Sequence, residues 1–158
     1  MIRLSRLADY GVVVLGRLAT MREREAGPTT TAEIAEATLL PAPTVAKILK
    51  LLARGDVVCS HRGHQGGYSL ARDPGAITVA DLVTALDGPV ALTACVDGHE
   101  GDCSVESMCA IRGHWDAVNT AVRKALESVT LADMILPGVP PMFQAGAEPT
   151  GSGEQTAR

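Results

Sequence analysis

The sequence predicts a mostly α-helical fold with one small β-hairpin and a long helix near the carboxyl end. Apolar residues recur at helical spacing along most of residues 2–136, and a glycine-rich tip separates two short runs typical of strands. Helix-start signals precede several of the helical patterns. Hydrophobic residues make up 46% of the chain, which is sufficient for the packed core of one domain.

Residues 2–20 are expected to form the first helix. One helical stripe, suited to the chain's own core, carries Leu4, Leu7, Gly11, Val14 and Leu18. The opposite side is also apolar and carries Ile2, Val12, Val13 and Gly16. A helix that is apolar on both sides needs two burial surfaces, so a partner subunit is expected on the second. Asp9 lies in the middle of that second side, where an unpaired carboxylate would be costly to bury.

Two short helices joined by a tight turn are expected next. Thr30 and Glu33 have the spacing of a capping box, which opens a helix running to about Thr38. The chain turns at residues 39–43, and Pro43 suits the first position of the following helix. The buried face of that helix is formed by Val45, Ile48, Leu49 and Leu52, and its outward residues are Thr44, Lys47, Lys50 and Arg54. The pair is typical of a helix-turn-helix, the alternative being an ordinary helical hairpin with solvated lysines.

A β-hairpin with a glycine-rich tip follows the second short helix. Residues 57–61 and 68–72 are expected to be its strands, and Cys59 a small buried apolar residue in the first of them. Such a tip is typical of the wing of a winged helix, because its glycines allow the backbone to approach a phosphate. Gly63, Gly66 and Gly67 match neither the Walker pattern nor the dinucleotide pattern of nucleotide-binding enzymes.

The charge distribution agrees with a nucleic-acid surface in the first half of the chain. The net charge is −4, but residues 1–75 hold ten Lys and Arg against seven Asp and Glu, whereas residues 76–158 hold four against eleven. A winged helix-turn-helix that binds a pseudo-palindromic double-stranded DNA operator is therefore expected. The residues predicted to bind DNA are Thr30, Thr44, Lys47 and Lys50 in the helical part and Arg62, Gly63, His64 and Gln65 in the wing.

Two further helices are expected after the wing. Thr78 and Asp81 form a second capping box, opening a helix that ends at Gly88 and is predicted to support the wing. A later helix has a coiled-coil-like seam of Ile111, Trp115, Val118, Val122, Ala125 and Val129. Two copies of the chain could pair along this seam as a homodimer, the alternative being packing within the same chain. Residues 137–158 are expected to be a disordered tail.

Three cysteines lie in an acidic, glycine-containing loop between these two helices. Seven residues separate Cys95 from Cys103, and five separate Cys103 from Cys109. A structural zinc site usually pairs its thiolates two to four residues apart, so zinc is disfavoured. Wide spacing on a flexible loop suits an iron–sulfur cluster, which needs a fourth ligand from elsewhere. The alternative is three unligated thiols.

At this point the chain resembles the family of iron–sulfur-sensing winged-helix regulators that includes IscR and NsrR. The matching stretches are residues 4–11 (LSRLADYG), residues 62–68 (RGHQGGY), the three-cysteine loop with Trp115 after it, and residues 130–133 (TLAD). Residues 8–11 and 101–103 look most like the regulators of the SUF cluster-assembly operon. By resemblance, this implies a dimeric repressor of cluster-building genes whose DNA affinity depends on its own cluster.

The resemblance departs from the IscR branch at one position. That branch completes the cluster with a histidine three residues after the last cysteine, whereas this chain has Arg112, which cannot ligate while charged. The nitric-oxide-sensing branch instead resembles this chain at Asp9. In that branch the corresponding residue reaches the cluster of the partner subunit. The ligand set expected is therefore Cys95, Cys103, Cys109 and Asp9, with His114 and His99 as rivals for the fourth position. The alternative for Asp9 is a partly exposed carboxylate paired with Arg6 or Arg17.

The sequence thus favours a winged-helix domain over 1–88, a cluster-binding loop over 89–110, and a dimerisation helix with a short terminal helix over 111–136. The cofactor expected is a 2Fe–2S cluster in preference to a 4Fe–4S cluster. A cytoplasmic location is expected, because no signal-peptide layout or membrane-length apolar run is present. Neither an enzymatic activity nor a small-molecule substrate is expected. The alternatives are a nitric-oxide or redox-responsive regulator of other genes and, from another class, an electron-transfer iron–sulfur protein.

Overall fold

A computed structural model of the chain describes residues 3–23, 27–63, 66–93, 96 and 114–135. In these residues, helices, strands and one 3-10 turn (Pro74–Ala76) alternate as α1 (Arg6–Glu23), α2 (Thr31–Thr38), α3 (Ala42–Arg54), β1 (Val58–His61), β2 (Gly67–Leu70), α4 (Val79–Asp87), α5 (His114–Glu127) and α6 (Leu131–Ile135). The expected disordered tail, residues 137–158, lies outside the described residues. No helix in the described residues is long and apolar enough to cross a membrane.

The start of α1 is fixed by a serine that also ties it to α4. The Ser5 hydroxyl accepts hydrogen bonds from the backbone N–H groups of Leu7 (3.1 Å) and Ala8 (3.2 Å). It donates to the Asp87 carboxylate at 2.5 Å, at the end of α4. The prediction that the first helix spans residues 2–20 therefore placed its beginning too early, and Leu4, expected on the core stripe, lies before the helix and is exposed.

The core-facing stripe of α1 is otherwise confirmed, but its second side is only partly free. Gly11, Val14 and Leu18 are buried on the first side. On the second side, a Cβ at Gly16 would lie 3.2 Å from Ile135 of α6, so α6 of the same chain covers that position. Val13 remains exposed. The expectation of a partner along the whole second side was therefore wrong at Gly16, because the chain folds back on α1.

Helices α2 and α3 form the expected helix-turn-helix. Thr30 is the N-cap of α2 in a capping box with Glu33, as predicted. Pro43 occupies the second position of α3 rather than the first, because the helix already begins at Ala42. The buried face of α3 is confirmed in full, since no surface remains exposed on Val45, Ile48, Leu49 and Leu52.

The wing is a two-stranded antiparallel hairpin in which Val58 pairs with Leu70 and His61 with Gly67. The His61 ring Nε2 and the Ser69 hydroxyl are hydrogen-bonded across it at 2.8 Å. Val58 is buried, but the expectation that Cys59 is buried was wrong, because Cys59 is exposed. Successive side chains of a strand point to opposite faces, and here only the face of Val58 meets the core.

Helix α4 opens with the predicted capping box of Thr78 and Asp81. Its buried residues are Ala80, Leu82, Val83 and Leu86. The helix packs mainly against α1, α3 and α5. Asp81 of α4 also pairs with Arg72, two residues after β2, at 3.2 Å. The expectation that α4 supports the wing stays a prediction.

The short terminal helix α6 is held on the same body by backbone pairing. Thr78 and Thr130 form an antiparallel bridge, with Val79 N–H donating to Val129 O (2.9 Å) and Leu131 N–H donating to Ile77 O (2.7 Å). Thr130 and Asp133 form a third capping box at its start. These hydrogen bonds seat Leu131 in the core.

Candidate nucleic-acid interface and cysteine-rich segment

The exposed face of α3 carries the basic residues that the sequence indicated. Lys47, Lys50 and Arg54 are all exposed, about opposite the buried stripe at 100° per residue. Thr44 is half-buried, because it lies about 90° from that stripe, at its flank. No ion pair within the described residues involves Lys47 or Lys50, so both ammonium groups are available to phosphates or base edges.

Thr30 lies at the amino terminus of α2, but its hydroxyl already has partners. It donates to Glu33 Oε2 at 2.7 Å and accepts from the Glu33 backbone N–H at 3.3 Å. A phosphate contact from Thr30 would therefore compete with the helix cap. This makes Thr30 a weaker candidate DNA contact than the lysines of α3.

Two of the capping boxes favour the ionised form of their carboxylate. The hydrogen bond from the Thr30 hydroxyl, followed by that from its backbone N–H, lowers the pKa of Glu33, and the same pair of bonds from Thr130 lowers the pKa of Asp133. A lowered folded-state pKa stabilises the fold at any pH above the ordinary carboxyl range. Both caps are therefore intact at neutral pH and weaken only as the pH falls through those lowered values.

The turn between α2 and α3 exposes an apolar side chain that sequence reasoning did not single out. Leu39 is 90% exposed and has a left-handed backbone, with φ 58° and ψ 22°. Helices commonly end in this conformation, but glycine or asparagine usually provides it. The neighbouring Leu40 is half-buried and packs on the core. The two leucines are adjacent and equally apolar, and the sequence pattern alone did not indicate which of them would be exposed.

The wing tip presents Arg62 and Gly63 to solvent. The Gly66 backbone N–H donates to Gly63 O at 2.9 Å, and Gly63 has a φ of 107°, which favours glycine. Arg62 forms no hydrogen bond or ion pair within the described residues, so its guanidinium is free for a groove. His64 and Gln65, the other predicted wing contacts, lie outside the described residues.

The wing is joined to the amino end of the helix-turn-helix by a contact that the sequence did not reveal. Thr29 and Tyr68 form an antiparallel bridge, with N–H···O distances of 2.9 and 2.8 Å. Gly67 lies so close to this bridge that a Cβ on it would be 2.6 Å from Thr29 O. Thr29 is only 2% exposed. One backbone pairing therefore sets the position of Arg62 relative to α2 and α3.

Asp9 lies in the first turn of α1, where a carboxylate stabilises the helix amino terminus. Within the described residues its side chain is exposed and forms no hydrogen bond or ion pair, neither with Arg6 nor with Arg17. It lines a pocket of about 360 Å³ whose apolar residues include Leu82 and Met134. The Asp9 carboxylate is thus an accessible potential metal ligand beside a partly apolar pocket.

The cysteines proposed as its co-ligands, Cys95, Cys103 and Cys109, lie outside the described residues, as do Arg112 and the rival His99. Among the residues that are described, no group of three or more His, Cys, Asp or Glu side chains is placed to hold a metal. The rival His114 is the first residue of α5 and is exposed. The chemistry of the proposed donor set, three thiolates and a free carboxylate, fits an iron–sulfur cluster.

Helix α5 has an apolar stripe that the other described residues leave uncovered. Trp115 is 40% exposed and Val118 45% exposed, and Val122 is half-buried. The expected first seam residue, Ile111, lies outside the described residues. The only buried residue of α5 is Asn119. A long helix with one buried side chain draws little stability from this chain's core.

A helix-turn-helix with an exposed basic α3, followed by a hairpin wing, defines a winged-helix DNA-binding protein. Residues 4–137 match the family model of the Rrf2 proteins, described as iron-dependent transcriptional regulators. The chain belongs to the Rrf2 family. The mostly helical winged-helix class expected from the sequence is therefore confirmed, as is the resemblance to the wider IscR group.

Known proteins similar to this chain carry different regulatory names. A Mycobacterium tuberculosis protein named for HTH-type transcriptional regulation is 35% identical over 133 residues, covering 84% of this chain and 80% of that protein. The structure of CymR, titled the global cysteine regulator of B. subtilis, has a TM-score of 0.63 and 30% identity, covering 85% of this chain and 97% of that one. The T. potens IscR structure has a TM-score of 0.57 and 31% identity, covering 85% and 86%. The chain is therefore a transcriptional regulator and not an enzyme, as expected.

Proposed function

We propose that this chain is a homodimeric repressor of SUF-type cluster-assembly genes that reports cluster status through its own iron–sulfur cluster. The cluster, of the 2Fe–2S type in preference to 4Fe–4S, is held by Cys95, Cys103 and Cys109 together with Asp9 of the partner subunit. The observation that carries the sensing part is Asp9, an accessible carboxylate with no side-chain partner among the described residues, on a chain whose family is described as iron-dependent.

The DNA-reading part rests on α3 and the wing. Lys47 and Lys50, with Thr44 at their flank, meet the major groove or its phosphates, and Arg62 meets the adjacent minor groove. The tip residues Gly63, His64 and Gln65 would contact the DNA backbone beside that minor groove. Two copies would place two α3 helices on a pseudo-palindromic operator.

The dimer is supported by the apolar side chains left exposed along α5 and beside it. Trp115 and Val118 lie on one stripe of α5, and Val13 of α1 is also exposed. A second copy of the chain would cover such a stripe in the way that coiled-coil helices cover each other.

The proposed mechanism is a shift between two arrangements of the dimer. When bound, the cluster would supply redox chemistry and reactivity toward nitric oxide. Asp9 would hold it through a carboxylate, a harder ligand than the thiolates and therefore the one most easily exchanged. By holding one cluster together, the cysteines of one subunit and Asp9 of the other would keep the two subunits in one relative position. That position favours a spacing of the two α3 helices that the apo dimer does not hold.

Anaerobic purification followed by absorption spectroscopy, with iron and sulfide assays, tests the cofactor. We expect a coloured protein with iron and sulfide in equal amounts, and a footprint on a SUF-type operator that changes when the cluster is removed. Colourless, iron-free protein after cluster reconstitution would contradict cluster sensing and leave a plain DNA-binding regulator or a zinc protein.

A nitric-oxide or redox-responsive regulator of other genes is the second candidate. The Asp9 carboxylate, accessible in its pocket, favours it because such a ligand would be easily exchanged on a bound cluster, which suits gas sensing. Comparing footprints on SUF-type and unrelated promoters distinguishes the two. An electron-transfer protein fits less well, because the Rrf2 family consists of transcriptional regulators. A sequence-specific operator footprint excludes it.

The wing and α3 should contribute differently to operator binding. The Arg62→Ala variant is expected to weaken binding by about 1–3 kcal/mol and to change the preference at a flanking minor-groove position. The Lys50→Ala variant should weaken all sequences about equally and lower the salt slope by about one. Titrations against operator variants at several salt concentrations measure both. Unchanged affinity and preference in Arg62→Ala would show that the wing does not read DNA.

Removing the Asp9 carboxylate should destabilise the cluster without dissociating the apo dimer. The side chain is exposed and has no partner in the part of the chain that the structure describes, so its loss leaves no buried group there unsatisfied. We expect Asp9→Ala to lose the cluster faster than wild type, or to show an altered spectrum, whereas His114→Ala should do neither. Absorption spectra and sedimentation of the apo proteins measure these outcomes.

A mixed dimer tests whether Asp9 ligates across the interface. One chain carries Asp9→Ala and the other lacks all three cysteines, so the intact cysteine loop faces the other chain's intact Asp9. Cluster binding like that of wild type supports ligation across the dimer. Loss equal to that of the Asp9→Ala homodimer would exclude it.

A further inference from the structure

The one buried residue of α5 is a polar side chain that binds backbone from a distant part of the chain. Asn119 is 8% exposed. Its Nδ2 donates to Val90 O at 2.9 Å, and its Oδ1 accepts from the Leu92 backbone N–H at 3.0 Å. Both halves of the amide are used, and a reversed amide would place oxygen against oxygen and N–H against N–H. The contact is therefore specific for asparagine in this orientation.

These hydrogen bonds join the two ends of the cysteine-containing segment. Val90 follows the end of α4 and packs against the core, and Leu92 precedes Cys95 by three residues. Asn119 lies in the second turn of α5, which begins five residues after Cys109. At 100° per residue, Asn119 is roughly 80° from the centre of the exposed stripe of α5. Asn119 therefore holds the segment that leads to Cys95 without using the exposed stripe, where the proposed second subunit packs.

We infer that Asn119 is a positioning residue that couples the placement of Cys95 to the orientation of α5. The inference rests on the proposed cluster function and deepens it. Ordering the ends of a loop in advance lowers the entropy cost of closing it around a ligand. Coupling is reciprocal, so a cluster that fixes Cys95 also fixes α5 through the same two hydrogen bonds. Through Asn119, cluster binding would thus change the orientation of α5, the helix along which the dimer forms.

The test compares Asn119→Leu, which removes both hydrogen bonds at similar volume, with Thr120→Val on the next residue of the same helix. In the full-length apo protein, hydrogen exchange at the Leu92 amide should rise by about ten- to a hundredfold in Asn119→Leu, because two bonds of about 1 kcal/mol each are lost. The alkylation rate of Cys95 should change in the same variant. After reconstitution its cluster should decay faster than that of wild type, whereas Thr120→Val should match wild type throughout.

Asn119→Asp provides a second variant if Asn119→Leu does not fold. It keeps an acceptor for the Leu92 N–H but places a carboxylate oxygen against Val90 O, so the Val90 contact becomes repulsive and Leu92 exchange and cluster decay should again be faster than in wild type. Unchanged Leu92 exchange and Cys95 alkylation would overturn the inference, as would a faster Leu92 exchange with an unchanged cluster lifetime. If wild type itself takes up no iron and sulfide, the proposed function fails, and the two apo measurements still decide whether Asn119 positions Cys95.

Discussion

The Gly67→Ala variant is expected to separate the wing from the helix-turn-helix and to weaken operator binding strongly. An alanine Cβ would lie 2.6 Å from Thr29 O and 2.7 Å from Thr29 C, which are backbone atoms that no rotamer change can move. The strands must shift, which strains the Thr29–Tyr68 bridge. We expect a loss of about 1–3 kcal/mol in the free energy of unfolding, and an operator affinity lower by about ten- to a hundredfold because Arg62 is displaced. Urea denaturation and operator titration measure the two effects.

Gly75→Ala is the matched control for this variant. Gly75 is exposed, and nothing lies within 4 Å of a Cβ built on it. We expect its stability to equal that of wild type or to rise slightly, since alanine restricts the unfolded chain. If the two variants unfold at the same denaturant concentration, the bridge between Thr29 and the wing does not contribute to the fold as described.

A lysine in place of Val118 should convert the protein to a monomer. Val118 is 45% exposed in the single chain, so the substitution costs little there. In a dimer paired along α5, the same position would bury an unpaired ammonium group, which is strongly unfavourable. Loss of the second subunit's DNA-binding domain should lower the affinity for an operator with two half-sites by about 10²–10⁴-fold, because the two domains no longer bind together. Sedimentation equilibrium and operator titration test Val118→Lys.

The control places the same charge elsewhere on α5. Ala117 is exposed and lies roughly 120° from the centre of the stripe, so Ala117→Lys should remain dimeric. If Val118→Lys is as dimeric as Ala117→Lys, the subunits do not pair along this stripe. Retained helicity in both variants would show that the result reflects assembly and not unfolding.

Features that depend on neighbouring residues could be predicted from the sequence. The capping boxes at Thr30 and Thr78 and the buried face of α3 were all expected, and the structure contains them. A capping box needs only two side chains three residues apart, and a buried stripe needs only the period of the helix. The helical period likewise placed Asp9 on the second side of α1 and the basic residues on the outward face of α3.

Contacts between distant segments were decided by the tertiary structure. Thr29 was not expected to pair with Tyr68, Cys59 was expected to be buried, and Gly16 was expected to meet a partner where Ile135 lies. The period of a strand indicates which residues share a face, but only the packing of other elements decides which face is covered. For the same reason Asn119 had no signal in the sequence. Its role depends on two backbone groups 27 and 29 residues away that folding brings to its amide.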